Sequence, residues 1–189
     1  MAGCVCICVR FRHREESLFR KIFRSDLTFF FSVKINLNNE LRVTVNEGKY
    51  LKLIYRKQHE ESSKVGTNLI AKTVRVQPAT VTEMLQKLAE KGLLRYKRYY
   101  GVELTEEGIV EAKKLLRKHR LLETLFVNAL CYEIQKACEE ASKLDHYASE
   151  DLVNTICQNY GHPDTCPCNK IIFSNERCKE NFRKKSDGR

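Results

Sequence analysis

The chain has 189 residues, with 34 Lys+Arg against 24 Asp+Glu, a net charge of +10 and a pI near 9.2. That length supports one medium domain or two small ones. The positive balance favours polyanionic partners, nucleic acid before anionic membrane, and no run of apolar residues reaches the roughly eighteen that a membrane span needs.

Residues 1–42 mix Cys, Arg and Phe without a steady period. A short strand near Cys4–Val9 and a helix near Glu15–Phe23 fit the pattern. So do an extension that never packs and residues translated from upstream of the true start. No charge precedes Cys4–Val9 and arginines follow at once, so this is not a secretory leader. The nine cysteines are odd in number and none lies between Val43 and Leu130. That distribution predicts a reduced, cytoplasmic protein rather than a disulfide scaffold.

From Asn46 the pattern becomes regular. Asn46 is placed to cap a helix with Tyr50, Leu51, Ile54 and Tyr55 on one face, ended by a polar break at His59–Ser63. Thr67 or Asn68 caps a second helix through Leu69, Ile70 and Val74. Gln77-Pro78 opens a third, with proline where its missing N–H costs nothing. Val81, Met84, Leu85 and Leu88 form its buried stripe and Gly92 closes it. Leu93–Lys97 and Gly101–Leu104 alternate as a hairpin with Arg98–Gly101 at the tip. Thr105 caps a long helix from Glu106 to about Leu130, and a helix from about Tyr132 to Tyr147 follows. A last helix starts at the Ser149 cap, carries Glu150 and Asp151 in its first turn, and ends before Gly161. His162–Cys168 is a Pro- and Cys-rich loop, and residues 174–189 form a charged tail.

Two short helices, a tight junction and a basic aromatic hairpin are the order of a winged helix-turn-helix. The second of those helices enters the major groove by its N-terminal end. Here that end, which includes the first-turn Pro78, offers Gln77 for adenine, Thr80 and Thr82 for phosphate or a thymine methyl, and the small Ala79 for close backbone approach. Lys97 and Arg98 on the wing suit backbone or minor-groove contact. The competing view is a winged helix used for protein contacts. Farther on, His119 and Glu123 share one helical face, and Cys138, Asp145 and His146 share another. On spacing alone, His119 and Glu123 read equally as a solvated ion pair or as metal ligands. Cys166-Pro167-Cys168 supplies two cysteines without two more partners at standard spacing, a weak zinc signal.

YLKLIY (Tyr50–Tyr55), QPATVTEMLQKLAEKGLL (Gln77–Leu94), LTEEG (Leu104–Gly108), RKHRLLE (Arg117–Glu123), the segment Cys138–Ser149 and HPDTCPCNKIIF (His162–Phe173) together resemble the metal-dependent regulators of the diphtheria toxin repressor type. The resemblance runs from about Val43 to Phe173. It implies a mainly α, two-domain homodimer: a winged helix over 43–105, then a helical metal-binding and dimerisation domain over 106–173. It implies an operator of palindromic double-stranded DNA and Fe²⁺ or Mn²⁺ as effector, with Zn²⁺ or Co²⁺ able to substitute in vitro. The metal ligands it implies are His119, Glu123 and Cys138, with Asp145 and His146 as a weaker or shared second site. Cys138 stands where the family usually has histidine, a softer donor that shades the choice toward Fe²⁺. Lys49 stands where methionine or aspartate is usual, Lys52 where manganese-type members place glutamate, and Ser142 where a cysteine or glutamate ligand is usual. Arg75 replaces the typical glycine of the turn.

The expected function is metal-controlled transcriptional regulation, most simply repression. The alternatives are a winged-helix regulator that senses thiol redox state and a structural protein that binds chromosomal DNA without sequence preference. The sequence holds no phosphate loop and no nucleophile–base arrangement, so an enzyme is not expected. Residues 1–42 are expected to be dispensable for DNA binding.

Overall fold

The computed structural model describes residues 43–97, 101–175 and 178. The expectations for residues 1–42, for Arg98 and for most of the charged tail lie outside them.

Helix α1 (Val45–Tyr55) begins one residue pair earlier than the Asn46 cap predicts. Thr44 is the cap: its hydroxyl accepts from the Glu47 N–H, and the Glu47 carboxylate accepts from the Thr44 N–H at 2.8 Å. This reciprocal pair satisfies two of the orphan donors at a helix start. The polar break comes later than predicted as well, because Arg56–Glu60 continue α1 as one wide π-helical turn, with Tyr55 and His59 stacked at 4.6 Å. Helix α2 (Thr67–Val74) starts at Gly66, so neither Thr67 nor Asn68 caps it. Arg75 ends it in the left-handed conformation, φ 60° and ψ 49°. Helix α3 (Pro78–Glu90) has Gln77 at its cap and proline in its first turn, as predicted. Val81, Leu85 and Leu88 are fully buried, while Met84 only edges the core. Gly92, at φ +73°, turns the chain into β1 (Leu94–Lys97), which pairs antiparallel with β2 (Gly101–Leu104), Leu94 opposite Leu104 and Lys97 opposite Gly101.

Helix α4 (Glu106–Leu130) is capped by Thr105 and joins two apolar clusters. Its first half puts Ala112 and Leu116 among Leu51, Ile54, Val81, Leu85 and Leu93. Its second half puts Leu121, Leu122 and Phe126 among residues of α5, α6 and the loop beyond. Gly108 is obligatory at the crossing: a Cβ there would stand 1.8 Å from the Leu93 carbonyl oxygen. Helix α5 (Ile134–Leu144) is shorter at both ends than the Tyr132–Tyr147 expectation, and Asp145–Tyr147 lie in the turn after it. Helix α6 (Glu150–Asn159) has the predicted Ser149 cap. The following loop is held by a bridge between Thr165 and Ile171.

The apolar residues of the second half divide. Leu121, Leu122, Phe126, Val153 and Ile156 are buried within the chain. Leu130, Ile134, Leu144, Tyr147 and Leu152 stay exposed on α5, its flanks and the start of α6. Among the described residues, no helix is long and apolar enough to cross a membrane.

Candidate functional site

The second cluster is unusual in what it buries. His119 and Glu123, one turn apart on α4, are each 1% exposed. Helix α5 brings Cys138 against them: its Sγ lies 3.4 Å from His119 Nε2, and the same nitrogen is 4.0 Å from Glu123 Oε2. The loop after α6 closes the far side, with the Cys168 N–H donating to Glu123 Oε1 at 3.1 Å. Donor atoms of His119, Glu123 and Cys138 lie within 4.8 Å of one another, and so do those of Glu123, Cys166 and Cys168. Glu123 is thus shared by two overlapping donor sets, and the Cys138 and Cys168 thiols are within hydrogen-bond reach. Burying a carboxylate costs several kcal/mol unless a cation opposes it. Among the described residues, no lysine or arginine pairs with Glu123.

Burial is the leading cause of every resolved shift in the cluster. Burial lowers the His119 imidazole below its ordinary value, so it is neutral and able to ligate. Burial and then the Glu123 charge raise the Cys138 thiol. Burial, with the Glu123 carboxylate beside it, pushes Cys168 up to about 12. Cys166 is raised by burial too. A divalent cation at the shared position would reverse these effects, favouring thiolates and matching the carboxylate. The donor set therefore fits a metal ion.

Asp145 and His146 are not drawn into a common set. The Asp145 carboxylate accepts from the Lys52 ammonium of α1, a buried ion pair, and from His119 Nδ1 at 3.2 Å. Burial alone would raise the Asp145 carboxyl, but His119 and Lys52 hold it below the usual carboxylate range. Asp145 therefore sits behind His119, fixing the proton on Nδ1 and leaving Nε2 to face Cys138 and Glu123, the usual carboxylate–histidine support of a metal ligand. Lys52, not the exposed Lys49, is the lysine that opposes Asp145. His146 stands apart, its Nδ1 buried with no hydrogen-bond partner. Ser142 Oγ donates to the Cys138 carbonyl at 2.9 Å and is exposed.

Two parts of this arrangement are hidden in the sequence. The Cys166–Cys168 loop gains its partners from Glu123 and Cys138, tens of residues away in sequence, so local spacing cannot reveal it. Arg120, 1% exposed, bonds Glu60 of the π turn and the Ile171 carbonyl and stacks 5.2 Å from the Phe173 ring. In sequence it reads as one more charge in a charged helix.

At the other end of the molecule, Gln77, Pro78, Ala79 and Thr80 are all exposed at the start of α3, and Lys97 is exposed on β1. Thr82 is half-buried and donates its hydroxyl back to the Pro78 carbonyl at 3.0 Å, which leaves it only an acceptor for any ligand.

Residues 43–102 match the family model described as the iron dependent repressor N-terminal DNA binding domain. Residues 105–174 match the one described as the iron dependent repressor metal binding and dimerisation domain. An uncharacterised HTH-type transcriptional regulator of Methanocaldococcus jannaschii is 37% identical over 107 residues, covering 57% of this chain and 86% of that protein. The iron-dependent repressor IdeR of Mycobacterium tuberculosis is 30% identical over 118 residues, covering 62% of this chain and 51% of its own length. A solved manganese-dependent transcriptional repressor in complex with manganese superposes with a TM-score of 0.65 at 35% identity, over 69% of this chain and 59% of that one. The chain thus spans about half of IdeR and most of the archaeal regulator, and it belongs to the iron-dependent repressor family.

Proposed function

We propose that the protein is a homodimeric, metal-dependent DNA-binding regulator, most simply a repressor, whose effector binds at His119, Glu123 and Cys138 with Cys168 and Cys166 close enough to join or replace Glu123. The buried carboxylate of Glu123, with no lysine or arginine paired to it among the described residues and set among neutral thiols and a neutral imidazole, carries this reading. A bound metal ion would supply the missing positive charge and hold α4, α5 and the Cys-rich loop together. The chain's own residues connect that point to the DNA-binding half. His119 donates from Nδ1 to Asp145, and Asp145 is held by Lys52 on α1, whose other face packs into the winged-helix core. A change in the orientation of His119 is therefore felt at α1 through two charged contacts.

Sulfur donors favour Fe²⁺ over Mn²⁺, and Zn²⁺ or Co²⁺ would occupy the same atoms in vitro. The exposed Leu130, Ile134, Leu144, Tyr147 and Leu152 supply the dimer face that would set the two α3 helices one helical turn of DNA apart. The free cysteines of the described residues agree with a reduced, cytoplasmic setting.

The deciding experiment is a DNA-binding titration with and without chelator, with metal analysis of the same sample. Stimulation by Fe²⁺ that disappears in His119→Ala, with the fold intact by circular dichroism, supports the assignment. Equal affinity in chelator overturns it. The adjacency of the Cys138 and Cys168 thiols favours one rival, a thiol redox sensor. Response to oxidant without metal would select it, and equal affinity for random DNA would select the chromosome-binding alternative.

A further inference from the structure

A second donor cluster lies beyond the first and takes no part in it. Cys157 sits near the end of α6, His162 in the loop just after it, and Cys178 past the last described loop residue. Cys157 Sγ is 3.3 Å from His162 Nδ1, and Cys178 Sγ is 3.8 Å from the same nitrogen. The three donor atoms all lie within 4.8 Å of one another. A tetrahedral zinc ion with Zn–S of about 2.3 Å and Zn–N of about 2.05 Å separates its sulfur and nitrogen ligands by about 3.6 Å. The two observed separations bracket that value. Both cysteines are buried, at 6% and 1% exposure. The backbone presets the histidine: its N–H donates to the Cys157 carbonyl at 2.8 Å and its φ is +57°, so ring and thiol are held on one turn. A cavity of about 90 Å³ adjoins the three residues and is also lined by Asp164 and Asn175. It has room for an ion and a water, or for a carboxylate as fourth ligand.

An independent observation concerns Arg117. It is only 7% exposed, and its Nε and Nη2 have no hydrogen-bond partner among the described residues. Its guanidinium reaches the Cys157 sulfur. A buried guanidinium requires an anion. Two neutral thiols do not supply one, and neither does a disulfide. Two thiolates on Zn²⁺ sum to a neutral centre, but their sulfurs carry partial negative charge and accept N–H bonds, and a carboxylate such as Asp164 as fourth ligand makes the centre anionic.

We propose that Cys157, His162 and Cys178 form a structural zinc site, separate from the centre at His119, with Arg117 donating to its thiolate sulfurs. Binding displaces the two thiol protons to solvent and leaves the imidazole neutral, so the only co-reactant is Zn²⁺ itself. The site ties the chain at Cys178 to α6, whose mid-helix Asn154 carbonyl already meets the Cys178 sulfur at 3.7 Å. All three ligands are borderline or soft, and d¹⁰ zinc accepts the four-coordinate geometry without preference.

The test uses the full-length chain purified under reductant, loaded with Zn²⁺ and dialysed against a weak chelator. Zinc per chain is counted by elemental analysis for the wild type, Cys157→Ser, Cys178→Ser, His162→Gln and His119→Ala. We expect the first three variants each to lose the same one equivalent and His119→Ala to retain it. Arg117→Met should keep the stoichiometry but weaken that equivalent about 10- to 100-fold. Cobalt substitution in His119→Ala should show thiolate-to-cobalt absorption that Cys178→Ser removes. If Cys157→Ser unfolds, His162→Gln and the cobalt spectrum decide. Unchanged zinc content in both His162→Gln and Cys178→Ser overturns the proposal. So does a Cys157–Cys178 disulfide found by mass spectrometry in the zinc-loaded wild type.

Discussion

The two halves of the molecule bury different chemistry. The winged-helix half closes over Leu51, Ile54, Val81, Leu85, Leu88 and Leu93, and its buried charges, Glu47 and Lys52, sit at its margin. The helical half places Arg117, His119, Arg120, Glu123 and Asp145 inside, alongside Cys157, Cys166 and Cys178. An apolar core is stabilised by area removed from water and is complete in the free chain. A core of ionisable and sulfur groups carries a desolvation cost that partners must offset. In this protein some of those partners are other side chains, as Lys52 is for Asp145 and Glu60 for Arg120. Oppositely charged partners for Glu123 and Arg117 are absent among the described residues. The half that resembles a finished core is the DNA reader, and the half with outstanding charges is the one that fits ligands.

The sharpest way to break this contrast is at Lys52–Asp145, one of two ion pairs that cross it among the described residues, the other being Glu60–Arg120. Lys52→Met leaves Asp145 buried without its ammonium partner. We expect a loss of about 3–5 kcal/mol in denaturant unfolding, because the stranded charge, rather than the missing contact, dominates. The double variant Lys52→Met with Asp145→Leu should regain most of that loss. It should also uncouple metal binding from DNA binding, because His119 loses its orienting acceptor. A single variant costing less than 1 kcal/mol would show that water reaches the pair.

Within the helical half, Cys168→Ser tests whether the loop belongs to the metal centre. Removal of a soft donor near the ion should weaken Fe²⁺ and Zn²⁺ about 10- to 100-fold, or about 1.4–2.8 kcal/mol, and Mn²⁺ far less. Metal titration followed by operator binding measures both. Equal weakening for all three ions would place Cys168 outside the coordination sphere and make it only a backbone donor to Glu123.

In the winged half the corresponding charge is Glu47, which caps α1 through the Thr44 N–H and accepts from Lys91 at 2.8 Å. Burial alone would raise its carboxyl, but Lys91 and Thr44 hold it below the ordinary value. A depressed carboxylate contributes stability above its unfolded pKa of about 4.3, and that contribution is lost as pH falls through the folded value. Glu47→Gln should therefore cost about 1 kcal/mol at pH 7 and nothing once the wild-type carboxyl is protonated. Urea unfolding of both proteins from pH 7 down to the acid limit checks it, and a pH-independent difference would contradict the assignment.

The same contrast decides what was legible in the sequence. Val81, Leu85 and Leu88 of the α3 stripe, the strand pairing and the Thr105 and Ser149 caps follow from periodicity and local hydrogen bonding, while Met84 only edges the core and β1 starts at Leu94 rather than Leu93. The misplaced caps at Asn46 and Thr67 are local competitions: Thr44 has a Glu three residues on, and Gly66 already has extended backbone. The helical half was harder. His119, Glu123 and Cys138 were recognisable by resemblance, and their convergence is a property of α4 and α5 packing. The role of Asp145 behind His119, the grip of Lys52 and the arrival of Cys166 and Cys168 at Glu123 are long-range contacts between polar groups that have no periodicity of their own. The Cys178 contribution is farther still from any spacing rule.

The smallest expected effect lies at the helix-turn-helix junction. Arg75 holds φ +60°, a conformation that costs an L-residue about 1 kcal/mol and glycine almost nothing. Its side chain is exposed beside the start of α3, where Gln77 to Thr80 face solvent. Arg75→Gly should therefore stabilise the isolated fold by up to about 1 kcal/mol while removing one phosphate contact. Operator affinity should drop for all sequences alike, and the salt slope should shrink by about one unit, as it should for Lys97→Ala on the wing. Thr80→Ala should behave differently, changing preference at a base pair by about 1–3 kcal/mol with the salt slope unchanged. Opposite signs for stability and DNA affinity in one substitution would show that arginine is retained at this turn for the polyanion and against the backbone. If Arg75→Gly leaves the salt slope intact, the residue makes no phosphate contact and its strain has no return in binding.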